Sequence, residues 1–238
     1  MNIWAISDLH LGFSTGKWMD RFGDHWKSHH LRVEAAWKER VAEDDIVLLP
    51  GDFSWAMKSD EVAQEFEWLA SLPGRKVLTK GNHDYWWPSS HKKLESLLPR
   101  GVYAIKKRAL VLDGVPIIGV RGGDFWVREE GTLASSNAPL VRERHELLLS
   151  VGHLREIYSG DLPPIALFHY PPFRLGTCES VFTRILEDVG CKFCVFGHLH
   201  TEVEWKRVFQ GEKNGVTYRL VSCDSLSFVP LLLVKEVA

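Results

Sequence analysis

Five segments of this 238-residue chain carry metal-ligating side chains, and each follows a short apolar run. They are Asp8-Leu9-His10, Gly51-Asp52, Gly81-Asn82-His83-Asp84, His169 with Tyr170-Pro171-Pro172, and Gly197-His198-Leu199-His200. The donors they offer are two carboxylates, one amide oxygen and four imidazoles: Asp8, His10, Asp52, Asn82, His169, His198 and His200. No thiolate is among them, so the set suits Mn²⁺ first, with Fe, Zn²⁺ or Co²⁺ as alternatives, and disfavours a structural zinc held by cysteines. Seven ligands exceed what one ion with an open position needs. They match two ions about 3.5–4 Å apart that share a carboxylate, the arrangement that activates water against phosphorus. Taken singly, a Gly-Asp is an ordinary turn and a His after a strand an ordinary polar residue. Their recurrence behind five apolar runs is what calls for chemistry.

Such residues need elements that aim them. The runs Ile3–Ser7, Ile46–Leu49, Lys76–Thr79, Ile165–Phe168 and Phe193–Phe196 are short and rich in branched residues, which predicts buried strands. Ligand sites in such sheets gather at the carboxyl ends of the strands, where these motifs fall. Between the runs, Val33, Trp37 and Val41, then Val62, Phe66 and Leu69, keep helical spacing. So do Leu140, Leu147, Val151, Leu154 and Tyr158, and later Val181, Ile185 and Val189. Pro73-Gly74 and Gly190 supply stops. Around 102–121 and 203–234 the pattern turns to paired strands, with hairpin turns at Asp113-Gly114 and Asn214-Gly215. The fold class expected is α/β, mixed α+β and layered, in a single domain over 1–238.

Composition narrows the function. The 29 basic residues against 31 acidic leave a net charge of −2, so neither a nucleic-acid coat nor an anchor to anionic membrane is expected. No targeting or membrane-spanning segment is visible. Cys178, Cys191, Cys194 and Cys223 read as reduced thiols, which favours the cytoplasm. Cys191-Lys192-Phe193-Cys194 leads into a strand and lacks a following helix, so it reads as buried thiols and not as a redox pair.

Together the five motifs resemble the signature set of the calcineurin-like metallophosphoesterase superfamily, over residues 8 to 200. Within that superfamily the chain looks most like its small bacterial phosphohydrolases. The resemblance implies a four-layer α/β/β/α sandwich of two mixed sheets with a dinuclear metal centre. It puts Asp8, His10, Asp52 and His200 on one ion, and Asp52, Asn82, His169 and His198 on the other. The expected activity is hydrolysis of a small phosphate mono- or diester, nucleotide-like esters included, by a hydroxide bridging the two ions. His83, adjacent to a ligand, is expected to protonate the leaving oxygen, and Asp84 to orient the His83 imidazole. A binding scaffold of the same fold that is weak in catalysis, and a nuclease, are the alternatives. The complete ligand set argues against the first and the neutral charge against the second.

Departures from relatives bear on the substrate. Phe53-Ser54-Trp55 stands where the phosphoprotein phosphatases carry Asp-Arg-Gly, and His83 stands where the lipid A precursor pyrophosphatases carry Arg. The double-strand-break nucleases are larger, with DNA-binding elements that this chain lacks. Among the 10 Trp, Trp18, Trp26, Trp55, Trp86, Trp87 and Trp126 sit in or near expected loops. Trp87 could stack a substrate ring, or these residues could seal loops onto the core. Arg121 and Arg128 flank a Gly-rich turn, where each could clamp phosphate or simply lie in solvent. The polar stretch Asp20, Arg21 and His25 to His30 could gate the substrate or lead into a helix. The expected partner is a small phosphorylated substrate, with oligomeric state left open.

Overall fold

Strand runs and helix stripes sort into two sheets, each with helices packed on it. The computed structural model describes residues 1–123 and 138–237. Arg128 and Trp126 lie outside the described residues. Among the described residues are eleven strands and six α-helices, in two compact units.

The first unit comprises Met1–Ala104 and Val221–Ala238. Its strands β1 (Ile3–Ala5), β2 (Ile46–Pro50), β3 (Arg75–Thr79) and β4 (Val102–Ala104) run parallel, and β11 (Leu231–Val234) pairs antiparallel with β1. The sheet order is β11-β1-β2-β3-β4. Every residue of β1 and β2 is buried, as near-continuous apolar strands must be in a parallel sheet covered by helices. Helix α1 (His29–Arg40) buries Val33 and Trp37, and α2 (Ala63–Ser71) buries Phe66 and Leu69. These join Leu49, Phe53, Leu78 and Trp86 in one core. A short α3 (His91–Glu95) starts at Ser90, whose hydroxyl accepts from Lys93 N.

The second unit, Ile105–Leu220, holds the other sheet, in the order β5-β6-β7-β8-β10-β9. Strands β6 (Val115–Val120), β7 (Ile165–Phe168), β8 (Phe193–Phe196) and β10 (Val216–Leu220) are mutually parallel. The edges β5 (Leu110–Leu112) and β9 (Gly211–Lys213) close antiparallel hairpins through Asp113-Gly114 and Asn214-Gly215. All four turn residues have positive φ, from 48° to 84°, as such two-residue turns require. Helix α4 (Ala138–Ile157) buries Leu147, Val151 and Leu154 against this sheet.

Three expectations about elements change. Helix α5 (Val181–Asp188) buries Phe182 and Leu186, leaving Val181 and Ile185 only partly covered. Its two equally spaced stripes are both apolar, and the larger ring wins the core. Strand β4 pairs with β3 and not with β5. The stretch after residue 200 opens as helix α6 (Glu202–Arg207), because Thr201 and Glu204 form a reciprocal capping box. No described helix is long and apolar enough to cross a membrane.

Candidate metal centre

In the first unit the first two motifs are zipped together by backbone bonds. Asp8 N donates to Gly51 O (3.1 Å), His10 N to Asp52 O (2.9 Å), and Leu11 N to Phe53 O (3.0 Å). Trp55 N returns to Leu11 O at 2.8 Å. This ladder continues the β1–β2 pairing beyond both strand ends, but the chain no longer lies flat. Asp8, His10 and Asp52 have φ of 57°, 45° and 50°, the left-handed region that non-glycine residues rarely occupy. Each such residue costs about 1–3 kcal/mol and persists only where the surroundings over-determine it, which clusters them at functional sites.

The side chains so aimed converge. Oxygen atoms of Asp8 lie within 4.8 Å of a His10 ring nitrogen and of an Asp52 carboxylate oxygen, and His10 Nε2 is 3.7 Å from Asp52 Oδ2. All three are buried. Two buried carboxylates this close repel one another unless a cation shares them. The donors are oxygen and imidazole nitrogen, the chemistry of a Mn²⁺-, Fe- or Zn²⁺-type site, so these residues fit a divalent metal.

The third motif locks onto the second. Asp52 Oδ1 accepts from His83 N at 2.8 Å. A Cβ on Gly81 would lie 2.0 Å from Asp52 Oδ1, so only glycine lets the two loops come this near. Asn82 and His83 are half-buried in the same loop. Asp84 does not hold the His83 imidazole as expected. Its buried carboxylate accepts from the backbone N–H of Asp52, Phe53, Ser54 and Gly81 and from Trp86 Nε1, at 2.8–3.2 Å. Burial raises this carboxyl above the usual carboxylate range, and the N–H donors oppose the rise. Five donors ask for every lone pair of an ionised carboxylate. Asp84 therefore builds the loops and leaves His83 to other neighbours.

Those neighbours are aromatic. Trp55 stacks on His10 with centroids 4.8 Å apart, and its ring lies 4.5 Å from that of His83. Trp26 meets His10 edge-on. Trp87, the expected substrate contact, is largely buried and packed against Trp86. Of the tryptophans after the motifs, Trp55 is the one beside the site. His29, the first residue of α1, is bonded through Nε2 to Leu9 O (2.8 Å), between two expected ligands.

In the second unit, parallel β7 and β8 end side by side, and Gly197 N donates to His169 O at 3.0 Å. That bond places the His169 and His198 rings 5.1 Å apart. His169 is fully buried, while His198 and His200 are half-buried. His198 again takes a left-handed φ, 73°, and Tyr170 lies over its ring at 3.9 Å. Arg121 is half-buried and paired with buried Glu143 (3.1 Å), which also faces Arg142. Its charge is thus partly spent on the protein. All four cysteines are free thiols, and burial pushes Cys191, Cys194 and Cys223 upward, which makes Cys191 and Cys194 poor redox partners.

Known proteins resemble this chain in sequence and in fold. The "Gene 66 protein" of Mycobacterium phage L5 is 25% identical over 184 residues, covering 67% of this chain and 86% of its own. The like-named protein of Mycobacterium phage D29 is 36% identical over 84 residues, covering 35% and 40%. Among solved structures, the phosphopantetheinyl hydrolase PptH of Mycobacterium tuberculosis matches 99% of this chain and 96% of its own, with a TM-score of 0.60 at 15% identity. That likeness is one of fold. The pattern of the calcineurin-like phosphoesterases matches residues 1–202. With that match over most of its length and an oxygen–imidazole donor cluster at the strand ends, the chain belongs to the calcineurin-like phosphoesterase family and is a metal-dependent phosphoric ester hydrolase.

Proposed function

We propose that the chain hydrolyses a small phosphate mono- or diester with two divalent cations, Mn²⁺ foremost. Asp8, His10, Asp52 and His200 would hold one, and Asp52, Asn82, His169 and His198 the other. The observation that carries this reading is the buried Asp8–His10–Asp52 cluster on a left-handed backbone. Divalent cations bound there lower the pKa of water towards neutrality and offset charge on the phosphoryl oxygens.

The chain's own residues do the rest. Asp52, fixed by His83 N, keeps its carboxylate turned toward His10. The His83 imidazole is the proton donor for the leaving oxygen. Trp55 lies against the rings of both His10 and His83. Four free thiols support a reducing compartment such as the cytoplasm.

The test is hydrolysis of 4-nitrophenyl phosphate against bis(4-nitrophenyl) phosphate by metal-stripped protein reloaded with Mn²⁺. Metal-dependent turnover that Asp52→Asn lowers at least about 100-fold supports the reading, and the preferred ester names the substrate half. Absence of both turnover and metal binding would overturn it in favour of a binding scaffold.

A further inference from the structure

The phosphoester reading leaves unassigned a cavity of about 340 Å³ in the second unit, beside the proposed ligand His198. Its size falls at the lower end of pockets that hold small organic ligands, roughly 300–1,000 Å³. The lining has two characters. Tyr170, Phe173, Leu175 and Leu199 form an apolar surface, and Arg174 and Arg207 add two guanidinium groups.

The two arginines are distant in sequence and are brought together by the fold. Arg174 lies in the loop after β7 and Arg207 ends α6. Gly176 N donates to Arg207 O at 3.0 Å, which ties loop to helix end. Both side chains are exposed, and among the described residues neither guanidinium makes a hydrogen bond or ion pair. Some other cations of this unit are paired: Arg121 faces Glu143, and Lys213 faces Glu179. The one acid lining the cavity, Glu204, turns Oε2 to Thr201 N and Oγ1 in the cap of α6. Two uncompensated forks beside a phosphoester centre form a receptor for a second anion, since guanidinium binds phosphate bidentately. The apolar residues lining the same cavity suit the body that joins the two anions.

Resting on the phosphoester reading, we infer that this cavity receives the alcohol half of the substrate and that Arg174 and Arg207 bind a second phosphate on it. The substrate class is therefore an organic bisphosphate built on a ring or apolar scaffold. The cleaved phosphate lies at the metal centre and the retained one at the arginines.

Adenosine 3′,5′-bisphosphate is the probe, with 4-nitrophenyl phosphate as the ester that lacks a second anion. For the Mn²⁺-loaded full chain, Arg174→Gln or Arg207→Gln lowers the ratio of the two kcat/KM values about 10- to 100-fold, the worth of a charge-assisted hydrogen bond. The loss lies in the KM for the bisphosphate, and Arg207→Lys recovers part of it. A ratio that does not move overturns the inference, while metal-dependent turnover of the aryl ester leaves the phosphoester reading standing. Equilibrium titration of the metal-stripped full chain decides the matter without catalysis. There the Arg174→Gln/Arg207→Gln double variant binds the bisphosphate at least about tenfold more weakly than the parent, with adenosine little affected. Equal bisphosphate binding by both proteins overturns the inference even if neither ester turns over.

Discussion

His83 and Asp84 are neighbours in sequence and serve different ends. The Asp84 carboxylate is consumed by five N–H donors, while the His83 ring lies beside those of Trp55 and His10. If His83 protonates the leaving oxygen, its worth depends on how badly that oxygen needs a proton. His83→Asn should lower kcat for an alkyl phosphate about 10²- to 10⁴-fold. The loss on 4-nitrophenyl phosphate should be under about tenfold, because nitrophenolate departs unprotonated. Comparing the two esters at saturating Mn²⁺ checks this; equal losses would make His83 a binding group and not an acid.

At the scale of elements, the site is a set of loops that extend sheet pairing past the strand ends. The first two motifs are laced by alternating backbone bonds, and the third reaches them through Asp84 and through the contact that Gly81 permits. An amide at residue 84 offers one acceptor oxygen and turns an NH₂ group toward N–H donors that then lack partners. Asp84→Asn should destabilise the metal-free protein by about 2–5 kcal/mol in urea unfolding, since each buried donor left unsatisfied costs about 1–3 kcal/mol. A variant as stable as the parent would show that the loops are held by the backbone ladder alone. Left-handed backbone at Asp8, His10 and Asp52 is the strain these bonds sustain.

For the molecule as a whole, each unit has its own sheet and its own apolar core, so the fold does not depend on metal in the way a zinc finger does. A metal bound only by the native state still stabilises it by mass action. At free Mn²⁺ about 100-fold above Kd the gain is about 2.7 kcal/mol. In a chain of this length that corresponds to a Tm rise of roughly 5–10 °C over protein in chelator. Differential scanning calorimetry with and without EDTA reads it, and the rise should vanish in Asp52→Asn. A Tm indifferent to Mn²⁺ would argue against an ordered metal centre.

The convergence of Asp8, His10 and Asp52 was legible because each follows an apolar run, and strand ends are where sheets of this kind deliver functional groups. The main strands and helices were legible for a related reason: periodicity and turn residues act over a few neighbours, as at Asn214-Gly215. Trp55 and Trp87 look alike to such reasoning, since both closely follow a metal motif. Only the tertiary structure sends Trp87 into the core and lays Trp55 over His10. Adjacency suggests Asp84 as a partner of His83, whereas three of its five donors come from residues 52–54, a distant stretch of chain, and two from its own loop. Arg174 and Arg207, 33 positions apart, carry no local signal at all. Residue type and local order thus determined the chemistry this protein carries, while long-range packing decided which polar side chains the fold consumes and which it leaves free to act.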